Sequence, residues 1–265
     1  MNRRILAFSI FFCLVVAPCA IGHLTIQPAS HFAYEQGAIV RGNTTKKQLA
    51  LVFTGDEFGD GIEKIGRVLK NQGTKASFFL TGRFYRRADL RPMIQRLRLD
   101  GHYLGPHSDT HLLYCDWKDR NKLLVTKDVF DNDLRANYDA MREFGITSSD
   151  ARFFLPPFEW YNQTISSWTS GAGLQLVNFT PGSGSNADYT TPQMENYVDS
   201  DAILRRIKTY EAKDPSGLNG FILLMHVGVA PERKDKFYDR LDELINWLKS
   251  EKYEPIRIDQ LLSKN

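Results

Sequence analysis

Two histidines four residues apart, His107 and His111, are the residues of this chain best suited to chemistry. A separation of four places two imidazoles on one face of a helical turn, so both can reach one cation. Imidazole nitrogen suits zinc, or another late first-row metal such as cobalt or nickel, better than calcium or magnesium. Two surface or capping histidines would have the same spacing, so the pair alone leaves both interpretations open.

A carboxylate from a different strand end would favour a metal site, and Asp56 offers one. Two histidines and one aspartate leave positions on a metal open for water and substrate. A metal held in this way lowers the pKa of water towards 7 and polarises a carbonyl, so hydrolysis of an amide or an ester follows. Asp56 and Glu57 could instead cap the next helix, but Asp60 is better placed for that role.

These polar residues lie in a chain whose apolar pattern alternates between strands and helices. Strands are predicted at 49–54, 76–80, 152–155, 174–179, 221–225 and 254–258, with a short one before His107. Helices are predicted at 62–69, 91–99, 129–144, 202–212 and 237–249. Strict alternation predicts βαβ units and an α/β fold with a mostly parallel sheet. About seven strand–helix pairs favour a closed or nearly closed barrel in a single domain.

In a parallel barrel the functional residues lie on the loops that follow the strands. Four polar clusters of this sequence fall there, at 55–57, 107–111, 156–159 and 226. Most have no packing reason to be at these places, so their agreement predicts an enzyme.

The first 22 residues have the pattern of a secretory signal peptide. Arg3 and Arg4 precede about a dozen apolar residues and then small ones, a stretch too short to span a bilayer. We therefore predict cleavage before His23 and export to the periplasm, the outer surface or the medium. A lipoprotein acylated at Cys19 is disfavoured because Pro18 precedes that cysteine. Residues 23–45 are predicted to be a loose lead-in to a domain at 46–265.

Charge and cysteine content exclude several classes of protein. The formal charge of +3 falls to about +1 without Arg3 and Arg4, so no nucleic-acid partner is predicted. With Cys13 and Cys19 in the signal region, Cys115 stands alone and predicts no disulfide framework. No later stretch is typical of a transmembrane helix.

Three segments carry a resemblance to a known family. The His-Ser-Asp-Thr-His run at 107–111 matches a His-Ser/Thr-x-x-His motif, and 222–226 is an apolar strand ending in Leu-x-His. Together with 73–82, they resemble the polysaccharide deacetylases of the NodB-homology type, carbohydrate esterase family four. The similarity runs from about Leu49 to the C-terminus. It implies a distorted (β/α) barrel and metal-dependent removal of acetyl groups from a polysaccharide, chiefly N-acetyl groups of GlcNAc-type sugars.

The resemblance also implies roles for single residues. It makes His226 the general acid, places Leu224 in the acetyl pocket, and gives the Phe158 N–H a part in holding the oxyanion. The family's first motif, Thr-Phe-Asp-Asp-Gly, is altered, because an ungapped alignment puts Thr54 and Gly55 at its two aspartates. A small insertion restores an acidic pair, with Asp56 as metal ligand and Glu57 as base. The opposite assignment stays open.

The third and fourth motifs depart further from the family pattern. Leu155 replaces the arginine that steadies the base, with Arg152 as a candidate substitute. Glu159 is either an alternative base or a rim residue, and Trp160 is either a sugar platform or a core residue. Asp188, in a region where the fourth motif is not recognisable, could orient His226.

Two other functions remain open at this point. The irregular motifs are compatible with a catalytically weak glycan-binding relative that keeps the barrel and the metal site. Opening of a small cyclic amide ranks third, because the signal sequence argues against a cytosolic metabolite enzyme. In the first two cases the expected partner is an acetylated polysaccharide or oligosaccharide.

Overall fold

A computed structural model describes residues 32–263, so the predicted signal peptide lies outside the described residues. Nine strands form in this part of the chain: β1 Ala33–Glu35, β2 Ala38–Arg41, β3 Gln48–Gly55, β4 Ser77–Leu80, β5 Tyr103–Pro106, β6 Phe153–Phe154, β7 Gln175–Leu176, β8 Ile222–His226 and β9 Glu254–Ile256. It also contains eight α-helices: α1 Ile62–Asn71, α2 Gly82–Tyr85, α3 Arg91–Leu99, α4 Lys127–Arg142, α5 Gln163–Gly171, α6 Ser200–Lys213, α7 Leu241–Ser250 and α8 Ile258–Leu261. Three 3₁₀ helices span Pro157–Glu159, Ser185–Tyr189 and Phe237–Arg240. None of the helices between residues 32 and 263 is long and apolar enough to cross a membrane.

Parallel strands form the wall of a distorted barrel. The main sheet has the order β5-β4-β3-β8, and β9 pairs with the start of β3. A separate parallel pair, β6 and β7, completes the seven parallel strands of the described chain. Single hydrogen bonds bridge the gaps, from Leu155 N to Pro106 O at 3.4 Å and from Thr180 N to Ile222 O at 3.0 Å. The predicted α/β fold, a distorted, mostly parallel barrel, is confirmed.

The central strand β3 is apolar from Leu49 to Phe53, and both of its faces are buried. Its sequence shows no alternation, and Leu49, Leu51 and Phe53 are all fully buried. Helix α1 covers one face of the sheet with Ile62 and Leu69, which lie at helical spacing and are buried.

Asp60 does not cap α1 as the sequence predicted. The N-cap position is Gly61, without a side-chain cap. The Asp60 carboxylate instead accepts hydrogen bonds from Val229 N at 3.0 Å and from the Tyr238 hydroxyl at 2.6 Å. It therefore connects the loop after β3 to the loop after β8, a contact that no local sequence pattern predicts.

The prediction of a loose lead-in is wrong from residue 33 onward, because β1 and β2 form an antiparallel hairpin. Ala38, Ile39 and Val40 are buried, Ile39 bridges Val177, and Arg41 bridges Phe221. The hairpin thus fills the wall between β7 and β8. Three buried residues in a row are too few to give a periodic signal.

Helix α5 was not predicted either. Its sequence is rich in serine and threonine, which weakens the apolar stripe, but the Asn162 side chain caps it by accepting from Ile165 N at 3.1 Å.

A buried arginine supports the loop that follows β7. Arg233 is fully buried and donates to Thr190 O at 2.7 Å and Val198 O at 2.9 Å. These bonds hold the segment that contains the 3₁₀ helix Ser185–Tyr189, which packs on β8. The support matters for the site because Asp188 lies on that helix.

Candidate active site

His107 and His111 lie on the loop that follows β5. The loop is not a helical turn, so that part of the prediction is wrong: Ser108 has φ 71° and His111 has φ 60°. The Ser108 hydroxyl accepts from His111 N at 3.0 Å and holds the turn together. The two rings are nevertheless adjacent, with centroids 5.1 Å apart.

Two polar residues of α4 anchor this loop. Asn137 accepts from His107 N at 2.8 Å, and Asp133 accepts from Asp109 N at 3.0 Å and from Thr110 N at 3.2 Å. Both anchors are buried. Sequence analysis missed them, although two polar residues four apart on the buried side of a helix are a recognisable signal.

Both imidazoles are neutral. Burial lowers the pKa of His107 to about 3. Burial likewise lowers the pKa of His111 to about 4, against the raising effect of Asp56. His107 Nδ1 lies 2.7 Å from Leu155 O, which can only accept, so Nδ1 carries the proton and Nε2 keeps a free lone pair. A neutral imidazole oriented by a carbonyl is the form that binds metals.

Asp56 follows β3 and faces the same cleft. Its Oδ2 lies 3.8 Å from His111 Nδ1, and its Oδ1 accepts from the Thr81 hydroxyl at 3.0 Å. Arg83 forms a two-pronged ion pair with both carboxylate oxygens. Burial raises the pKa of Asp56, but the hydrogen bonds from Arg83 and Thr81 and the charge of Arg83 outweigh it and bring the pKa below its usual value. Asp56 is therefore ionised.

Arg83 is a site residue that sequence analysis missed. It lies in α2, three residues after the end of β4, so the rule that sites lie after the ends of strands could have found it. Arg152, the predicted substitute for the family's arginine, is exposed, precedes β6 and does not line the cleft.

The donor set fits a divalent metal in its chemistry. Two neutral imidazoles and one carboxylate are ligands that zinc and its neighbours accept. Within residues 32–263, however, no three His, Cys, Asp or Glu side chains converge closely enough to hold an ion, and Arg83 occupies both oxygens of Asp56. A cation bound by all three residues would therefore take the place of the Arg83 guanidinium on Asp56.

The end of β3 shows why the acidic pair stands at Asp56 and Glu57 and not at positions 54 and 55. The strand continues through Thr54, which pairs with His226, to Gly55. A Cβ at Gly55 would lie 2.6 Å from Val227 Cγ2 and 2.7 Å from Leu80 Cδ2, so a side chain there would require Val227 and Leu80 to move. The buried Thr54 hydroxyl has no hydrogen-bond partner in the described chain.

Asp56 and Glu57 are the first acidic residues beyond the end of this strand. The structure brings both to the cleft, but Glu57 is exposed.

His226 forms a dyad with Asp188 across the cleft. Its Nδ1 lies 2.6 Å from Asp188 Oδ1, and its backbone N–H donates to Asp188 Oδ2 at 2.9 Å. Burial lowers the pKa of His226, but the charge and hydrogen bond of Asp188, together with the charge of Glu159, raise it above its ordinary value. The geometry agrees with the prediction that Asp188 orients His226.

Phe158 and Glu159 form a strained turn beside His111. Both have left-handed backbones, with φ 58° and 54°, and the Phe158 ring lies 4.3 Å from the His111 ring. The next two N–H groups donate to Pro156 O at 3.1 Å and Pro157 O at 3.2 Å. Within residues 32–263 the Phe158 N–H has no backbone acceptor, so it is available to a ligand.

Glu159 carries a perturbed carboxyl group. Burial raises its pKa to about 7, with a lowering effect from His226 and a raising one from Asp188. Its carboxylate makes no ion pair in the described part of the chain, so it is free to exchange a proton near neutral pH.

One cleft of about 790 Å³ unites most of the predicted residues. Those that line it are Asp56, Glu57, His107, His111, Phe158, Glu159, Trp160 and His226. Leu224, predicted to line an acetyl pocket, does not reach this cleft. It is fully buried in β8 beside Val52, two residues before His226, and is not among the residues that line the cleft.

These features define an α/β-barrel protein with a polar cleft at the carboxyl ends of its strands. Residues 41–177 match the sequence model of the family described as polysaccharide deacetylase. That match covers more than half of the chain, which therefore belongs to the polysaccharide deacetylase family.

The name of one curated relative gives no information about activity. The uncharacterized 30.6 kDa protein in the fumA 3' region of Geobacillus stearothermophilus is 26% identical over 121 residues. The match covers 46% of this chain and 41% of that protein, so less than half of the relative is represented.

Solved structures share the fold. The Bc1960 peptidoglycan N-acetylglucosamine deacetylase has a TM-score of 0.68 at 18% identity, over 85% of this chain and 92% of that one. PdaA of Bacillus subtilis, a family 4 carbohydrate esterase, has 0.64 at 23%, over 85% of each chain. BA3943 of Bacillus anthracis, a CE4 family pseudoenzyme, has 0.66 at 20%, over 87% and 70%. At these identities the likeness concerns the fold alone.

Proposed function

We propose that this protein removes N-acetyl groups from GlcNAc-type sugars of a polysaccharide, with a divalent metal held by Asp56, His107 and His111. Zinc is the first choice, with cobalt and nickel as alternatives. The observation that carries the proposal is the pair of neutral imidazoles beside an ionised Asp56, in one cleft with the His226–Asp188 dyad. The proposed site of action is outside the cytoplasm, an inference from the sequence of the first 22 residues alone.

Several groups of the cleft have roles in this reaction. When bound, the metal would polarise the acetyl carbonyl and make water a better nucleophile. A carboxylate takes the proton of the attacking water, and the Phe158 N–H donates to the developing oxyanion. His226, kept protonated by Asp188, passes its proton to the departing sugar nitrogen. The products are acetate and a glucosamine unit.

Glu159 is the carboxylate best suited to accept the proton of water. We expect Glu159→Gln to lower kcat about 10²-fold, whereas the exposed Glu57→Gln keeps most of the activity. A base must be ionised, so kcat/KM of the wild type is expected to fall as pH drops below about 7, the pKa of Glu159. Rates of acetate release between roughly pH 5 and 9 measure this dependence of kcat/KM on pH. A large loss in Glu57→Gln alone would return the base to Glu57.

The proposal is tested by acetate release from chitotetraose after chelation and metal add-back. We expect release to stop with the chelator and to return with zinc. Arg83→Ala frees Asp56 and is expected to raise zinc affinity about tenfold in calorimetry, since the cation no longer competes with a guanidinium. Arg86→Ala is the matched control, because its side chain has the same 48% exposure and it pairs with Asp109 instead.

The second candidate is a catalytically weak glycan-binding relative. The ion pair between Arg83 and Asp56 favours it, because a guanidinium on the carboxylate neutralises the charge that a metal needs. Binding of chitotetraose without acetate release from any N- or O-acetylated glycan, despite bound zinc, would establish this alternative. Zinc affinity that stays unchanged in Arg83→Ala would remove Asp56 from the ligand set.

A further inference from the structure

Three aromatic side chains form a continuous surface that leads outward from His111. Phe158 touches the His111 ring, Trp117 meets Phe158 edge-to-face at 5.6 Å, and Trp160 stacks on Trp117 at 5.7 Å with an interplanar angle of 29°. We call Phe158, Trp117 and Trp160 the aromatic ledge. All three line the same cleft as the histidines.

The exposure of two ledge residues, Trp117 and Phe158, has no explanation in the fold. Trp117 is 56% exposed and Phe158 is 40% exposed, although both are large apolar groups. Contiguous exposed apolar surface in a folded protein marks a binding site more often than chance. Its continuity with the candidate active site indicates that the ligand is the same molecule that enters the cleft.

The loop that carries Trp117 is held in one conformation. Asp116 accepts from Lys118 N at 2.8 Å and Asp119 N at 3.1 Å, and its own N–H donates to Lys122 O at 2.9 Å. Cys115 and Leu123 form an isolated bridge beneath it. Trp117 is therefore presented to solvent by an ordered turn.

Polar contacts fix the second tryptophan. Trp160 Nε1 donates to Asp116 O at 3.2 Å, and the Arg120 guanidinium lies 4.5 Å from the Trp160 ring centroid. Glu35 accepts from Arg120 at 2.9 Å and lines the cleft with it. The guanidinium lies over the Trp160 ring, so the exposed Trp117 supplies the open aromatic face of the ledge, with Arg120 and Glu35 nearby. An aromatic face beside charged hydrogen-bonding groups matches a pyranose ring with its C–H faces and equatorial hydroxyls.

We propose that the aromatic ledge binds a pyranose ring of the glycan chain at a position beyond the sugar in the active site. This inference rests on the proposed function, which places one sugar of the glycan beside His111. It makes the ligand an oligosaccharide of several units, because a monosaccharide at His111 would leave the exposed Trp117 uncovered. A cleft of about 790 Å³ has room for such a ligand.

Calorimetry of the full chain with chitotetraose and with N-acetylglucosamine tests the ledge. Trp117→Ala is expected to weaken chitotetraose binding about tenfold and to leave the monosaccharide unaffected. Trp117→Phe keeps an aromatic face and is expected to recover most of the affinity. Leu99→Ala removes an apolar side chain that is 78% exposed on α3, outside the cleft, and is expected to change nothing.

Outcomes for the ledge and for the activity are separable. Acetate release with kcat unchanged and KM raised in Trp117→Ala supports both proposals. Trp117-dependent binding of chitotetraose without acetate release supports the ledge and contradicts the proposed deacetylase activity. Equal chitotetraose affinity in wild type and Trp117→Ala, an equal loss for the monosaccharide, or no binding of chitotetraose by the wild type overturns the ledge.

Discussion

His107→Ala is expected to abolish zinc binding and to lower kcat/KM for chitotetraose by ~10³-fold, to the level of the chelated wild type. The substituted residue loses an imidazole that is neutral and oriented by Leu155 O at 2.7 Å. Neither His111 nor Asp56 makes this hydrogen bond to Leu155 O, so we expect neither to replace His107. Metal content after dialysis and initial rates of acetate release measure the effect.

His102→Gln is the control for this variant. His102 is also buried and precedes β5, whose other end leads to His107, so it lies at the opposite end of the same strand. It accepts from Ala76 N at 3.1 Å and has no place in the cleft. We expect it to lose some thermal stability but to keep its zinc. Full zinc occupancy in His107→Ala would contradict the assignment of the metal site.

The second large effect is expected at the His226–Asp188 dyad. His226→Ala removes the proposed acid and is expected to lower kcat by ~10³-fold, within the range for general acid–base groups. Asp188→Asn removes the charge that keeps His226 protonated, while burial continues to lower the pKa of the imidazole. Because the acid must be protonated, the alkaline limb of the kcat profile is expected to move to lower pH in Asp188→Asn.

This pH shift separates a positioning role of Asp188 from a structural one. A merely destabilised protein would lose activity at every pH without moving the limb. Asp60→Asn is the control, since Asp60 is a carboxylate at the same end of the barrel that accepts from Tyr238 and does not line the cleft. An alkaline limb that stays in place in Asp188→Asn would exclude Asp188 from tuning His226.

Several elements were predictable because their signals are local. The continuous apolar run of β3 predicts a strand buried on both faces, and the apolar residues of α1 at helical spacing predict a helix on one of those faces. The hairpin of β1 and β2 and the polar helix α5 gave no comparable signal, because one is too short and the other too rich in serine and threonine.

Part of the candidate site was predictable for the same reason. His107, His111 and His226 stand directly after or at the end of apolar strands, where parallel barrels place their functional residues. Leu224 shows the limit of motif matching, because its position in a strand places it beside Val52 and away from the cleft.

The sequence by itself determined the parallel barrel, the family resemblance and the histidines at the strand ends, because each depends on residues adjacent in the chain. Only the tertiary structure decided which groups meet across space. Arg83 pairs with Asp56 over 27 residues and Asp188 with His226 over 38, and Trp117 reaches Trp160 from a separate loop. Such contacts depend on how loops of different strands fold over one cleft, and no spacing along the chain records that.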